Sequence, residues 1–196
     1  MKKLNNIAIK LIAADFFLYS GWGLIAPIFA IYITEQIDGG TIEVVAFATA
    51  LFWITKSLIQ PFLANIIDLV QGERDDFKLL IMGTLTVALV PFGYFFATQV
   101  WHIFLLEFFR GVAMACIVPA WLGIFTRHIS RGWEAFSWSI QSTSIGLAYG
   151  FAAAFGGVLA LTFGFGAVFL FVGFSKLLSA LVLFLIYKGM FLNKNE

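Results

Sequence analysis

Five formally charged residues stand inside long apolar stretches of this 196-residue chain: Asp15, Lys56, Glu107, Arg110 and Lys176. At membrane depth an ionisable side chain costs at least ~2.5–3.5 kcal/mol on insertion scales, so it normally faces a bundle interior and marks a substrate pathway or a proton relay. Glu107 and Arg110 are three apart and share one helix face. An arginine there can hold an anionic or hydroxyl-bearing solute, or keep a carboxylate charged, and Glu107 beside it can carry a transported proton. The same two residues also suit a purely structural pair. Asp15 and Lys56 fall at similar depths on neighbouring stretches of opposite direction, so a second pair is geometrically open to them, functional or register-fixing. Lys176 lies at a depth comparable to Glu107. It either completes a network with that carboxylate or sends its long stem toward water.

Helical spacing groups these charges with aromatic residues. Asp15, Tyr19, Trp22 and Ala26 fall on one face; Trp53, Lys56 and Gln60 on a second; Arg110, Met114, Ile117 and Trp121 on a third. Gln141 opens a polar run, Gln141–Ser144, at the start of another stretch. Mixed polar and aromatic stripes suggest a lined cavity, whereas purely apolar stripes would be packing. The two histidines, His102 and His128, fall near opposite ends of their stretch and cannot share a metal.

The elements that must position these residues are six apolar stretches, at about 8–34, 42–64, 77–97, 101–125, 135–161 and 167–188. Each has roughly the 20 residues needed to cross a hydrocarbon core about 30 Å thick. Apolar residues make up 61% of the chain and charged residues 12%, against about 25% charged in soluble domains. In lipid every backbone polar group must be satisfied within its own segment, so helix is the expected state. The expected fold is therefore an all-α membrane domain of six spans covering residues 1–196. Pro27, Pro61, Pro91 and Pro119 all fall within spans, where kinks are tolerated.

Lys2, Lys3, Lys10, Arg74, Lys78, Arg127, Arg131, Lys188 and Lys194 all fall on one side of this arrangement, and the connections on the other side (34–41, 98–100, 162–166) contain no Lys or Arg. The positive-inside rule then places both termini in the cytoplasm, of a cell whose plasma membrane is the expected location. Met1–Asn6 and the run after it lack the form of a cleavable signal. Cys116, the single cysteine, reads as a small buried apolar residue. Gly146, Gly150 and Gly157, with Ser142 and Ala153, form a small-residue strip of the kind that lets helices approach closely.

Several motifs carry a family likeness. The first span reads Gly21-Trp-Gly-Leu-Ile-Ala-Pro27-Ile-Phe-Ala-Ile-Tyr32. The second connection reads Asp68-Leu-Val-Gln-Gly72-Glu-Arg74, preceded by Ala64. The fourth span holds Leu106-Glu-Phe-Phe-Arg110-Gly111, and Arg131-Gly132, Gly146, Gly150, Gly156-Gly157 and Phe163-Gly164-Phe165 follow in order. Along nearly the whole chain this series resembles the amino-terminal half of a major facilitator superfamily transporter. The resemblance implies that Asp68 and Arg74 belong to a gating loop, although the family's Asp-Arg-x-Gly-Arg-Arg is altered here. It also implies that Arg110 is the membrane arginine linked to proton coupling in many members. Ala152-Ala153 stands where the antiporter branch has Gly-Pro, which argues against a drug antiporter. Members of this family pair two six-span halves around a central substrate site.

The resemblance implies a secondary transporter of a small organic solute. One half alone would expose its polar stripes to lipid, so the expected assembly is a parallel homodimer with its cavity between copies and alternating access by rocking of one copy against the other. The alternative is a non-transporting half or scaffold that pairs with a different six-helix membrane protein. No cofactor and no nucleic-acid partner are implied. Neither a nucleotide-phosphate loop nor a Gly-x-Ser-x-Gly or His-Glu-x-x-His motif occurs in the sequence, so an enzyme is not expected. Substrate, coupling ion and direction are not legible at this level.

Overall fold

The computed structural model describes residues 5–70 and 72–192. These are helical almost throughout, and no strand occurs among them beyond an isolated bridge between Asp38 and Gln99. The elements are α1 (Asn6–Ile25), α2 (Phe29–Gln36), α3 (Ile42–Leu69), α4 (Glu73–Phe96), α5 (Val100–His128) and α6 (Glu134–Tyr187), with a short π-helical turn at Lys188–Leu192. Five of the helices are long and apolar enough to cross a membrane.

Local chemistry sets the ends. The Asn5 side chain accepts from the Ile7 N–H at 3.0 Å and caps α1. The Thr41 hydroxyl accepts from the Val44 N–H and caps α3. Of the four prolines only Pro27 interrupts a helix: the first apolar stretch is two helices, α1 and α2, joined by a turn at 26–28. Pro61, Pro91 and Pro119 lie within continuous helices. The two stretches expected at 135–161 and 167–188 join into α6, whose backbone leaves the helical region only at Gly164 (φ 79°, ψ 167°). A positive φ of this kind suits glycine because it has no Cβ.

The chain reverses at Gly164. On the arm before it, Gln141 faces Asp15 and Ala152 faces Gly23, so that arm runs parallel to α1. On the arm after it, Ser175 bonds the Phe17 carbonyl and Val172 faces Gly21, so this arm runs antiparallel to α1. Elsewhere Tyr94 meets Glu107 and Gly83 meets Ile117, so α4 and α5 are antiparallel. The structure is thus a bundle of alternating rods, with α1 wedged between the arms of α6.

Close approach uses a different set of small residues from the one expected. A Cβ on Gly156 would collide with the Leu24 backbone, and one on Gly23 would sit 2.9 Å from the Cβ of Ala152. Gly146, Gly150 and Gly157 have no neighbour within 4 Å of such a Cβ among the described residues. They lie about 80–120° round α6 from Gly156, on a face that no other helix approaches this closely among the described residues.

The apolar interior is in two parts. One contains Leu11, Phe77, Leu80, Ile124 and Phe125; the other contains Ile25, Ile33, Tyr94, Ile103 and Phe169. Large apolar side chains such as Phe47, Phe62, Phe96, Leu161 and Phe163 are exposed outside. Water would not favour so apolar an exterior, but lipid does. Lys10, Arg74, Lys78, Arg127, Arg131 and Lys188 lie at the end where α1 and α4 begin and α5 finishes; Lys2, Lys3 and Lys194 fall outside the described residues.

Candidate functional site

Between the two apolar parts lies a charged layer. Glu107 is 0% exposed, Arg110 6% and Lys176 3%. The three-residue spacing on α5 lets the Arg110 guanidinium fold back onto Glu107, where Nε donates to Oε2 at 2.9 Å and a terminal nitrogen donates to the same oxygen. The second carboxylate oxygen accepts from the Tyr94 hydroxyl on α4. Tyr94 is itself fixed, since its carbonyl accepts from the Tyr32 hydroxyl of α2 at 2.7 Å.

Both faces of the Arg110 guanidinium are covered. Its central carbon lies 3.7 Å from the centre of the Trp22 ring and 3.6 Å from that of Phe52. The close pass of α3 over α5 makes this stacking possible. A Cβ at Gly111 would lie 2.9 Å from the Phe52 carbonyl oxygen, so the glycine beside Arg110 admits the α3 backbone.

A cavity of about 190 Å³ opens from this layer. Trp22, Phe52, Trp53, Lys56, Arg110 and Lys176 line it, with Tyr19, Met114 and Tyr149 completing the wall. Trp53 is 54% exposed and marks the open side. The Lys56 ammonium sits 4.8 Å from the centre of the Trp53 ring and the Lys176 ammonium 5.9 Å from that of Trp22. Gly21 makes room for the Lys176 stem, since a Cβ there would lie 3.3 Å from Cε.

A smaller cavity of about 160 Å³ lies toward the basic end and shares Tyr19 with the first. Asp15, 4% exposed, accepts there from the Gln141 amide at 3.1 Å. This corrects the Asp15–Lys56 pair left open by depth alone: the arm of α6 stands beside α1 and supplies the partner. No bond joins Lys176 to Glu107 either. Trp121 lines this second cavity, stacked on Phe125 at 4.5 Å, and its indole N–H has no hydrogen-bond partner among the described residues. Gln60 lies apart from both, in a groove between α3 and α5. Of the residues singled out in the sequence, Tyr19, Trp22, Trp53, Lys56, Arg110, Met114 and Lys176 therefore meet at one cavity. Asp15, Trp121 and Gln141 meet at the next, and Glu107 stands behind Arg110. Tyr94, Phe52 and Tyr149 carry no charge and were not singled out; the polar handles of Tyr94 and Tyr149 were the available signal.

The two residues of the expected gating loop, Asp68 and Arg74, do not bond each other. Asp68 lines a groove with Arg127 but no bond joins them, and Arg74 donates to the Tyr187 hydroxyl at 3.0 Å. The ionic tie at this end runs between the acidic first turn of α4 and the basic last turn of α5. Arg127 bonds Asp76, and His128 bonds Glu73 at 2.6 Å. Antiparallel packing brings these termini together, and each charge also complements its own helix dipole. Among the described residues no group of His, Cys, Asp and Glu is placed to hold a metal ion.

Comparison with known proteins agrees with this architecture. The chain is 25% identical, over 197 aligned positions, to a protein of Methanocaldococcus jannaschii named as an uncharacterized MFS-type transporter. The match covers 100% of this chain and 49% of that protein, so the chain spans about half the length of this curated relative. The family model described as Major Facilitator Superfamily matches residues 11–192. An all-helical bundle with an apolar exterior, matched to that family over most of its length, makes this chain an integral multi-pass membrane protein belonging to the major facilitator superfamily.

Proposed function

We propose that this bundle is one half of a secondary transporter that carries a small organic solute past Arg110 by alternating access. One observation carries the reading: the charged layer. Well-packed apolar residues in place of a buried ion pair are often neutral or stabilising. A bundle that keeps Lys56, Glu107, Arg110 and Lys176 around a cavity therefore has a use for them, and passage of a polar solute is the expected one. The name of the M. jannaschii relative points the same way. The doubling back of α6 at Gly164 favours six crossings, and the basic end then faces the cytoplasm with both chain ends. Proton coupling would use Glu107 or Asp15, the two carboxylates at membrane depth.

The cavity needs a cover on its open side. A second copy in the same orientation supplies one, related by a two-fold axis along the membrane normal. In support, only 17% of the α3 span is buried, against 44–50% for the other four, and α3 holds Trp53 and Lys56. A second reading is favoured by the length of the relative: the covering half is a different six-helix bundle, as the remainder of that longer protein would be.

The test is solute uptake into proteoliposomes. Flux above that of empty liposomes is expected for at least one class of organic solute, and Arg110→Ala is expected to abolish it. Undiminished flux in Arg110→Ala would contradict the role given to the cavity.

A further inference from the structure

The charges around the cavity beside Arg110 do not balance. Arg110 is largely committed, with Nε and one terminal nitrogen on Glu107 and both faces under aromatic rings. The Glu107 carboxylate is committed to Arg110 and Tyr94. Asp15, on the neighbouring cavity, is held by Gln141. Lys176 and Lys56 remain. Lys176 is 3% exposed, and neither ammonium has a hydrogen-bond acceptor or carboxylate partner among the described residues. Three basic side chains thus face one cavity that has a single carboxylate at its back.

A buried ammonium without an acceptor is strongly disfavoured. Water can supply an acceptor but not the missing negative charge. The other walls are flat apolar rings: Trp22, Phe52 and Trp53. A cavity of about 150 Å³ takes up benzene, so one of about 190 Å³ has room for a ring and a small substituent.

Resting on the transporter reading above, we propose that the solute is a small organic anion with a flat apolar body, its acid group held by Lys176 and Lys56 and its body set against Trp22, Phe52 and Trp53. Arg110 then acts as a fixed positive wall whose position Glu107 and Tyr94 maintain. Steric fit to the rings admits neutral and cationic compounds of the same shape; the lysines reject them. The site thereby separates shape, read by the aromatic walls, from charge, read by two ammonium groups on different helices.

The experiment uses one ring with different substituents, so that lipid partitioning and ring contacts are controlled. Binding of benzoate, benzenesulfonate and phenyl phosphate to the intact chain in lipid nanodiscs is compared with that of benzyl alcohol and benzylamine, by calorimetry and tryptophan fluorescence. At least one acid is expected to bind tenfold or more tightly than the alcohol and the amine. K176Q is expected to weaken that acid roughly tenfold, as loss of a charged hydrogen bond does, and K176R to restore most of it. K56Q, at a half-buried position, gives an independent arm should K176Q fold poorly, and is expected to weaken the same acid. Equal binding of alcohol or amine, no binding of any acid, or wild-type affinity in K56Q together with K176Q overturns the assignment. Proteoliposome flux separates the two readings. Charge-selective binding without flux of the acid that binds upholds the anion site and counts against the transporter. Flux of a neutral or cationic solute that none of the acids inhibits does the reverse.

Discussion

Removal of the Glu107 carboxylate is the perturbation with the largest expected effect. Glu107→Ala leaves Arg110 charged at a site 6% exposed, between two rings and without its anion. Loss of one partner of a buried pair typically destabilises by 3–5 kcal/mol. Stacking on Trp22 and Phe52 persists in the variant and offsets part of this, by about 1–2 kcal/mol. The net expectation is about 1–4 kcal/mol, a shift of roughly 5- to 700-fold in the folding equilibrium. Arg110→Ala should destabilise similarly, because it strands the carboxylate with only the Tyr94 hydroxyl. The double variant strands neither charge, so its effect should fall well below the sum of the singles, with a coupling of about 2 kcal/mol or more. Ordinary hydrogen bonds between membrane helices couple by only about 0.6 kcal/mol on average. The double-mutant cycle, read from reversible unfolding in mixed micelles, therefore distinguishes a buried ion pair from a routine polar contact. Additive single effects, with a coupling under about 0.5 kcal/mol, would refute the reasoning.

Gly164→Ala forces a Cβ into a positive-φ extended conformation with open space around it. It should destabilise by about 1–3 kcal/mol through backbone strain alone, seen as a lower melting temperature in detergent. Gly156→Ala pushes a Cβ into the Leu24 backbone and should destabilise by about 1–3 kcal/mol, whereas Gly157→Ala, one residue on, should leave the unfolding of a single bundle unchanged; equal effects at the two sites would mean that the faces of α6 are misassigned. For the parallel homodimer, Trp53→Cys in a Cys116→Ala background should yield crosslinked dimers with short bifunctional reagents in native membranes. A product that remains monomeric, in a sample where the cysteine is fully labelled by a monofunctional reagent, counts against a second copy over the cavity.

Much of the fold could be read from the sequence because solvation is a local property. A stretch such as 101–125 declares its solvent by length and composition, without reference to its neighbours. The one-sided Lys and Arg likewise follow from segment order alone. Glu107 and Arg110 could be paired because three residues on a helix fix their relation. The break at Gly164 was legible only as a loop, since its sharpness depends on one φ angle. The charges of the basic end were visible, but their pairing was not. Arg127 chooses Asp76 over Asp68 because α4 and α5 are antiparallel neighbours whose ends coincide.

The amino-acid sequence by itself determined the lipid surroundings, the helices, and which residues were too polar for oil. Tertiary structure alone decided how each helix turns about its own axis. That rotation sends Asp15 to Gln141 instead of Lys56, turns Gly157 outward while Gly156 meets Leu24, and gathers three basic side chains on one cavity. The physical reason is that periodicity defines a stripe on a helix but not the neighbour it meets, and the neighbour is chosen by close packing of all the rods at once.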